Sequence, residues 1–340
     1  MGLTWRYIKR VIKNIKNQEF KEFILNYELD PYLVKFQELG KSFPEQNVLI
    51  IQNDDAGHGF FAEYRMTLNY LAFAEKYHFI PYIYYDRNYR YAEQEKINGT
   101  DNPFEYYFEQ PAFLKYQEAF SAQNVVFAKN AHGDIAEKLN KQCCSYEVSD
   151  EYITYMSEIV RKYIRYNGNT QEYLDSEVEK ILGEENVLGI HYRGTDFKEN
   201  FNNHPVAITI EKEIEIAKEQ LEKNLFSKIF LATDDIDAIH KFKEEFGDRV
   251  VFYQDVYRGN ANVSVAFSQN ERKHHYYRLG LEVLRDMHTL ANCEGLIAGM
   301  SQVSNIARIT RKAMGLEYRY LCIINQGINR NSKEFRGESK

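Results

Sequence analysis

Arg193, in the run His191-Tyr192-Arg193-Gly194-Thr195-Asp196, is the residue best suited to chemistry in this 340-residue chain. A planar guanidinium beside a glycine can make a bidentate contact with phosphate, whereas the plain alternative is a structural pair with Asp196. Three other polar groups compete for attention: Thr233-Asp234-Asp235, Asp286-Met287-His288 and Gly299-Met300-Ser301-Gln302. Ser301 would open a helix, where its hydroxyl caps one backbone N–H and the remaining orphan donors can receive an anion. Asp235 and Asp237 allow two readings, a carboxylate pair holding a divalent cation or a helix N-cap, and the strong preference of helix starts for Asp favours the cap. The Gly57-His58-Gly59 turn would let backbone approach a ligand closely. A GxGxxG fingerprint, a P-loop and cysteine–histidine zinc spacing are all missing, which argues against dinucleotide, ordinary ATP and structural zinc sites. His274 and His275 are adjacent and should point apart, toward solvent.

These groups make sense only if something gathers them. The apolar run 48–51 predicts a buried strand, followed by the glycine turn, a helix over 61–77 and a strand over 80–85. The stretch 86–140 is aromatic and irregular and reads only as mixed. Helical character returns over 151–180, broken at Asn167-Gly168-Asn169. Strands at 187–190, 229–232, 250–253, 295–298 and 318–324 then alternate with helices near 208–223, 236–246, 276–291 and 303–314. That alternation predicts an open parallel sheet, with ligands at the carboxyl ends of its strands. His191 to Asp196, Asp234, Asp235 and Ser301 all follow strands. A second α/β unit facing the first would make the cleft between them the site.

Composition narrows the classes further. Hydrophobic residues are 44% and charged residues 27%, as in ordinary globular domains, so wholesale disorder is excluded. With 43 Lys+Arg against 50 Asp+Glu the net charge is −7, which disfavours a nucleic-acid partner. Four cysteines, two of them adjacent, are too few for a disulfide scaffold, and no apolar run reaches membrane-spanning length, so a cytoplasmic protein is expected. Trp5, Ile8, Ile12 and Ile15 share one stripe among Arg6, Lys9, Arg10, Lys13 and Lys16. Residues 1–20 therefore fit either a helix docked on its own domain or a peripheral contact with an anionic membrane face.

In motif order the chain resembles the α1,6-fucosyltransferases of glycosyltransferase family 23, within the superfamily that includes the protein O-fucosyltransferases. Its first motif matches His191, Arg193, Thr195 and Asp196, followed by His204-Pro205; the second matches Leu231 through Asp235; the third matches Asp286, His288, Ser301, Gln302 and Val303. Gly57-His58-Gly59 and Asn88-Tyr89-Arg90-Tyr91 match first-half motifs, with His58 in place of an aromatic residue. The resemblance spans roughly residues 46–330. Together with the alternating elements it implies an α/β, GT-B-like fold of two Rossmann-like domains whose parallel sheets face a cleft. Expected boundaries are an N-terminal helical segment 1–45, an acceptor-side domain 46–165, a GDP-sugar domain 166–330 and a polar tail 331–340.

The resemblance also implies the roles. Arg193 would bind the β-phosphate of GDP-fucose, His191 and Asp286 would address guanine, and Ser301 would hold the diphosphate with Gln302. Gly194, Asp196, Asp234 and Asp235 would complete that side of the donor site, and Tyr91 with Gly57, His58 and Gly59 would reach it from the first domain. The family inverts at the anomeric carbon and needs no metal or other cofactor. Its base is a Glu between the Thr-Asp and His-Pro pairs; here that interval is one residue shorter, and Glu199 is the expected base with Lys198 beside it. The acceptor is expected to be a glycan or glycolipid. Two alternatives remain, a metal-dependent sugar transferase using Asp235 and Asp237, and a non-catalytic nucleotide-sugar or glycan-binding protein.

Overall fold

The structure is a computed structural model that describes residues 18–19, 21–22, 34–53, 57–129, 142, 145–258, 265–268, 270 and 272–334, of which 34–36, 129 and 196 are described in backbone only. Most of the expected basic helix at 1–20 therefore lies outside the described residues.

Two open sheets carry the molecule. The first contains β1 (Val34–Gln37), β2 (Val48–Asn53), β3 (Ile80–Tyr85) and β4 (Val125–Lys129), in the spatial order β1-β4-β2-β3. β2 runs parallel to both of its neighbours, while β1 closes the edge antiparallel to β4. The first domain thus begins before residue 46, the boundary expected from sequence, because four residues of β1 pair with β4. The second sheet contains β5 (Val187–Tyr192), β6 (Lys228–Thr233), β7 (Val250–Val251), β8 (Gly295–Gly299) and β9 (Tyr320–Ile324). It is all parallel, in the order β7-β6-β5-β8-β9. The six residues of β5 are all buried, as a central strand covered on both faces requires.

Apart from one short helix at Tyr116–Ala119, which falls in the stretch read only as mixed, the helices follow the sequence pattern closely. They are α1 (Phe60–Lys76), α2 (Tyr116–Ala119), α3 (Asp150–Tyr163), α4 (Gly168–Leu182), α5 (Ile210–Glu222), α6 (Ile236–Phe246), α7 (His275–Asn292) and α8 (Gln302–Ala313). Asn167 breaks α3 from α4 by capping the latter, its side chain accepting from Thr170 N at 3.0 Å. α3 packs on both α1 and α8, so it joins the halves, and the largest apolar cluster runs continuously from Leu49 and Phe73 to Met287 and Leu296. Among the described residues no helix is long and apolar enough to cross a membrane.

The strand order decides where a site can form. Chain order reverses at β5 in one sheet, between its neighbours β6 and β8, and at β2 in the other, between β3 and β4. At such reversals the following loops diverge and leave a crevice beyond the carboxyl ends. Residues 331–334, the start of the expected polar tail, return to the 199–206 loop, where Asn202 N donates to Lys333 O at 2.7 Å.

Candidate functional site

A cavity of about 480 Å³ opens between the carboxyl ends of the two sheets. The second domain lines it with His191, Arg193, Asp234, Asp286, Ser301 and Gln302, and the first domain with Gly57, His58, Gly59 and Tyr91. Gly194, Asp235, Lys198 and Glu199 are not on its wall. Asp196 opens a short 3₁₀ turn, and its side chain lies outside the described residues.

Arg193 sits immediately beyond β5. Its Nη1 donates to Asp234 Oδ2, and its guanidinium carbon lies 5.6 Å from the Phe197 ring centre. Asp234 also accepts from Gly194 N at 2.9 Å and Thr195 Oγ1 at 2.8 Å. Burial raises the Asp234 carboxyl, but the Arg193 charge and these two donors outweigh it and hold the group below the ordinary carboxylate value. Asp234 is thus an anchor that aims Arg193, one strand away.

Asp235 has a different role. Its Oδ1 accepts from Asp237 N at 2.9 Å, capping α6, while Oδ2 takes the Lys198 ammonium at 2.5 Å. Asp237 is exposed in the first turn of that helix. Lys198 therefore faces Asp235, and its expected neighbour Glu199 is ion-paired instead with Lys333 of the returning C-terminal segment. Both side chains are drawn off the cavity wall by these partners. Among the described residues no group of three or more His, Cys, Asp or Glu is placed to hold a metal ion.

Ser301 caps α8: its Oγ accepts from Ser304 N at 3.0 Å, and Ser304 Oγ accepts in return from Ser301 N at 3.0 Å. The first turn of α8, with its orphan N–H donors and positive dipole end, opens beside Arg193. His191 is buried below this point, and desolvation together with the Arg193 charge lowers it to about 4, so it is neutral at physiological pH. Asp286, on α7, behaves oppositely to Asp234. Burial drives its carboxyl up, only partly countered by Arg285 and Arg258, to about 7. One cavity therefore holds the Arg193 guanidinium and an acid that burial brings into titration near neutral pH.

The first domain supplies a preset turn. Glu63, fully buried in α1, accepts from Asn53 Nδ2 at 2.8 Å and lies 3.0 Å from His58 Nδ1. The Tyr91 hydroxyl accepts from Phe60 N at 3.0 Å, so it caps α1 where that helix meets the cavity. Burial raises the Tyr91 hydroxyl to about 12, keeping it protonated. A Cβ built on Gly59 would meet nothing within 4 Å, which leaves open space against the backbone there.

Sequence reasoning missed Arg65. It is 1% exposed, lines the cavity, and donates to Gln302 Oε1 at 2.7 Å, Tyr152 Oη at 3.0 Å and the carbonyls of Ser145 and Gln142. It thus ties the first domain to the start of α8. The signal was present: Arg65 is four residues after Phe61 and three before Leu68, on a stripe otherwise apolar. His275, expected to face solvent, is 4% exposed because Arg272 Nε and the Ser268 carbonyl hold its two ring nitrogens at 2.8 and 3.0 Å.

No protein-family model and no curated protein matches the sequence. Solved structures do resemble the chain. A NodZ α1,6-fucosyltransferase soaked with GDP-fucose is 14% identical, with 78% of this chain and 93% of that chain covered and a TM-score of 0.46. NodZ from Bradyrhizobium is 15% identical over 78% and 92% of the two chains at 0.44. POFUT1 in complex with GDP is 12% identical over 82% and 98% at 0.48.

Proposed function

We propose that the chain is an inverting glycosyltransferase that passes fucose from GDP-fucose to a hydroxyl of a glycan or glycolipid, without a metal ion. The observation that carries this reading is that Arg193 and the Ser301-capped start of α8 open onto the same cavity as Asp286. In this reading the Asp286 carboxylate accepts from the N–H edge of guanine, where its two oxygens suit paired donors. Arg193 and the α8 terminus take the diphosphate. As the bond from fucose to the β-phosphate breaks, charge grows on departing GDP, and a fixed guanidinium beside a helix N-terminus stabilises it most where water is excluded.

Calorimetric titration with GDP, UDP and GDP-mannose tests the donor assignment. GDP is expected to bind at least tenfold more tightly than UDP, and equal affinities would overturn the guanine contact. The second reading, a nucleotide-sugar-binding protein without turnover, draws on Glu199, which is engaged with Lys333 off the cavity wall. GDP release from GDP-fucose, offered alongside an oligosaccharide panel, separates the two.

A further inference from the structure

The cavity has a second, less charged half. Tyr146, Phe197, Asn202, Asn203, His204 and Glu334 form its wall. The rings of Tyr146, Phe197 and His204 make a mutual cluster, with centroids 5.7 to 6.1 Å apart. Phe197 also lies under Arg193, so this half begins beside that guanidinium. Its outer edge is built by the chain after β9. Val206 N donates to Gly327 O at 2.9 Å, Asn329 N to His204 O at 2.8 Å and Asn203 N to Asn329 O at 3.0 Å, and this ladder carries Glu334 to the wall. There Asn202 Nδ2 donates to Glu334 Oε1 at 3.0 Å.

The carboxylates on the cavity wall, among the described residues, are Asp234, Glu282, Asp286 and Glu334. Asp234 is bound to Arg193 and Glu282 to Arg272, while Asp286 is buried on α7. Glu334 is held by a neutral amide at the exposed rim. We propose that this half receives the acceptor as a carbohydrate, and that Glu334 is the carboxylate that takes the proton from its attacking hydroxyl. The inference rests on the glycosyl-transfer reading above. A sugar ring offers an apolar C–H face to the aromatic cluster and hydroxyls to the Asn202 and Asn203 amides. In the step, the acceptor oxygen bonds to the anomeric carbon of fucose as the bond to the β-phosphate oxygen breaks. GDP leaves with that electron pair, and the hydroxyl proton moves to Glu334 and then to solvent.

The experiment compares wild type, Glu334→Gln and Glu199→Gln for GDP affinity by calorimetry and for GDP release from GDP-fucose. Release is measured with water alone and with oligosaccharides ending in galactose or N-acetylglucosamine. Glu334→Gln is expected to keep GDP affinity within about twofold and to slow release about 100-fold or more, as loss of a general base does. Release at the wild-type rate, an equal loss of GDP affinity, or a loss carried by Glu199→Gln with Glu334→Gln unaffected would each overturn it. A wild type that binds no GDP, or releases none from GDP-fucose, removes the underlying reading and this inference with it.

Discussion

The Ser301 hydroxyl lies 3.3 Å from His191 Nδ1, so a helix cap just beyond the end of β8 touches the buried carboxyl end of β5. The two strands are neighbours at the point where the sheet order reverses. Because His191 is neutral at physiological pH, the contact fixes the Ser301 hydroxyl without adding charge. Ser301→Ala is expected to cost about 1 kcal/mol of stability through the lost cap and to weaken GDP binding, both measurable on one preparation.

If the Asp286 carboxylate meets guanine as proposed, GDP binding should depend on pH. The unliganded acid titrates near 7, pushed up first by burial, whereas donors from guanine favour the ionised form. GDP affinity should therefore fall as pH drops below 7, by up to about tenfold per unit, and level off above about 8. Binding near pH 7 should release part of a proton, seen as a calorimetric enthalpy that changes with the buffer. An affinity flat from pH 5.5 to 8 would remove Asp286 from the contact.

The same acid sets a stability trade-off. Its folded value lies above its unfolded one, so the folded state binds the extra proton, and stability declines as pH rises from about 4 to about 7. Asp286→Asn removes the cost of ionising a buried group. Its melting temperature should exceed wild type at pH 8, by about 1–3 kcal/mol of stability, while GDP affinity falls about 10- to 100-fold. Stability gained without affinity lost would contradict the assignment.

Arg193 and Asp234 should behave as a pair. Arg193→Ala leaves a buried carboxylate with two neutral donors but no counter-charge, at a cost of about 1–3 kcal/mol, reduced from fully buried values by the 29% exposure of Arg193. Adding Asp234→Asn should restore most of that stability and none of the turnover. A double mutant that recovers turnover would make Arg193 structural.

Legibility in the sequence followed locality. β5, β6 and β8 are short apolar runs bounded by turn signals, and their strand ends already displayed His191, Arg193, Asp234 and Ser301. β1 and β4 were not visible, because Val125–Lys129 sits inside an aromatic stretch where buried rings such as Phe104 and Tyr107 alternate without period with exposed ones such as Phe113 and Tyr116, and β1 exists only through its pairing with β4. The partners of Lys198 and Glu199 were equally hidden. Asp235 is 37 positions from Lys198, and Lys333 is 134 from Glu199, so adjacency in sequence suggested a pairing that tertiary structure divides.

Arg65 should prove to be the latch between the halves. Replacing it by Met fills the volume but leaves the Ser145 and Gln142 carbonyls and the Gln302 amide without their donor. Losing a buried cation among such acceptors should cost about 3–5 kcal/mol, read as a lower denaturant midpoint. A midpoint within experimental error of wild type would show that the shared apolar cluster holds the halves together without Arg65.

The glycines next to the cavity separate space for ligand from space for protein. At Gly59, φ is −76°, which alanine adopts without strain, and an added Cβ meets open space. Gly59→Ala should cost about 0.5–1 kcal/mol of stability, since alanine is a poorer N-cap than glycine at the start of α1. If the diphosphate approaches this turn, the same methyl should weaken GDP binding tenfold or more. At Gly194 the added Cβ would fall 2.4 Å from both Cβ and Oδ2 of Asp235, a side chain fixed by Lys198 and by its cap on α6. Gly194→Ala must displace that cap, so it should lower the melting temperature whether or not nucleotide is present. A Gly59→Ala protein that binds GDP like wild type would move the phosphates away from the first domain and place them wholly on Arg193 and α8.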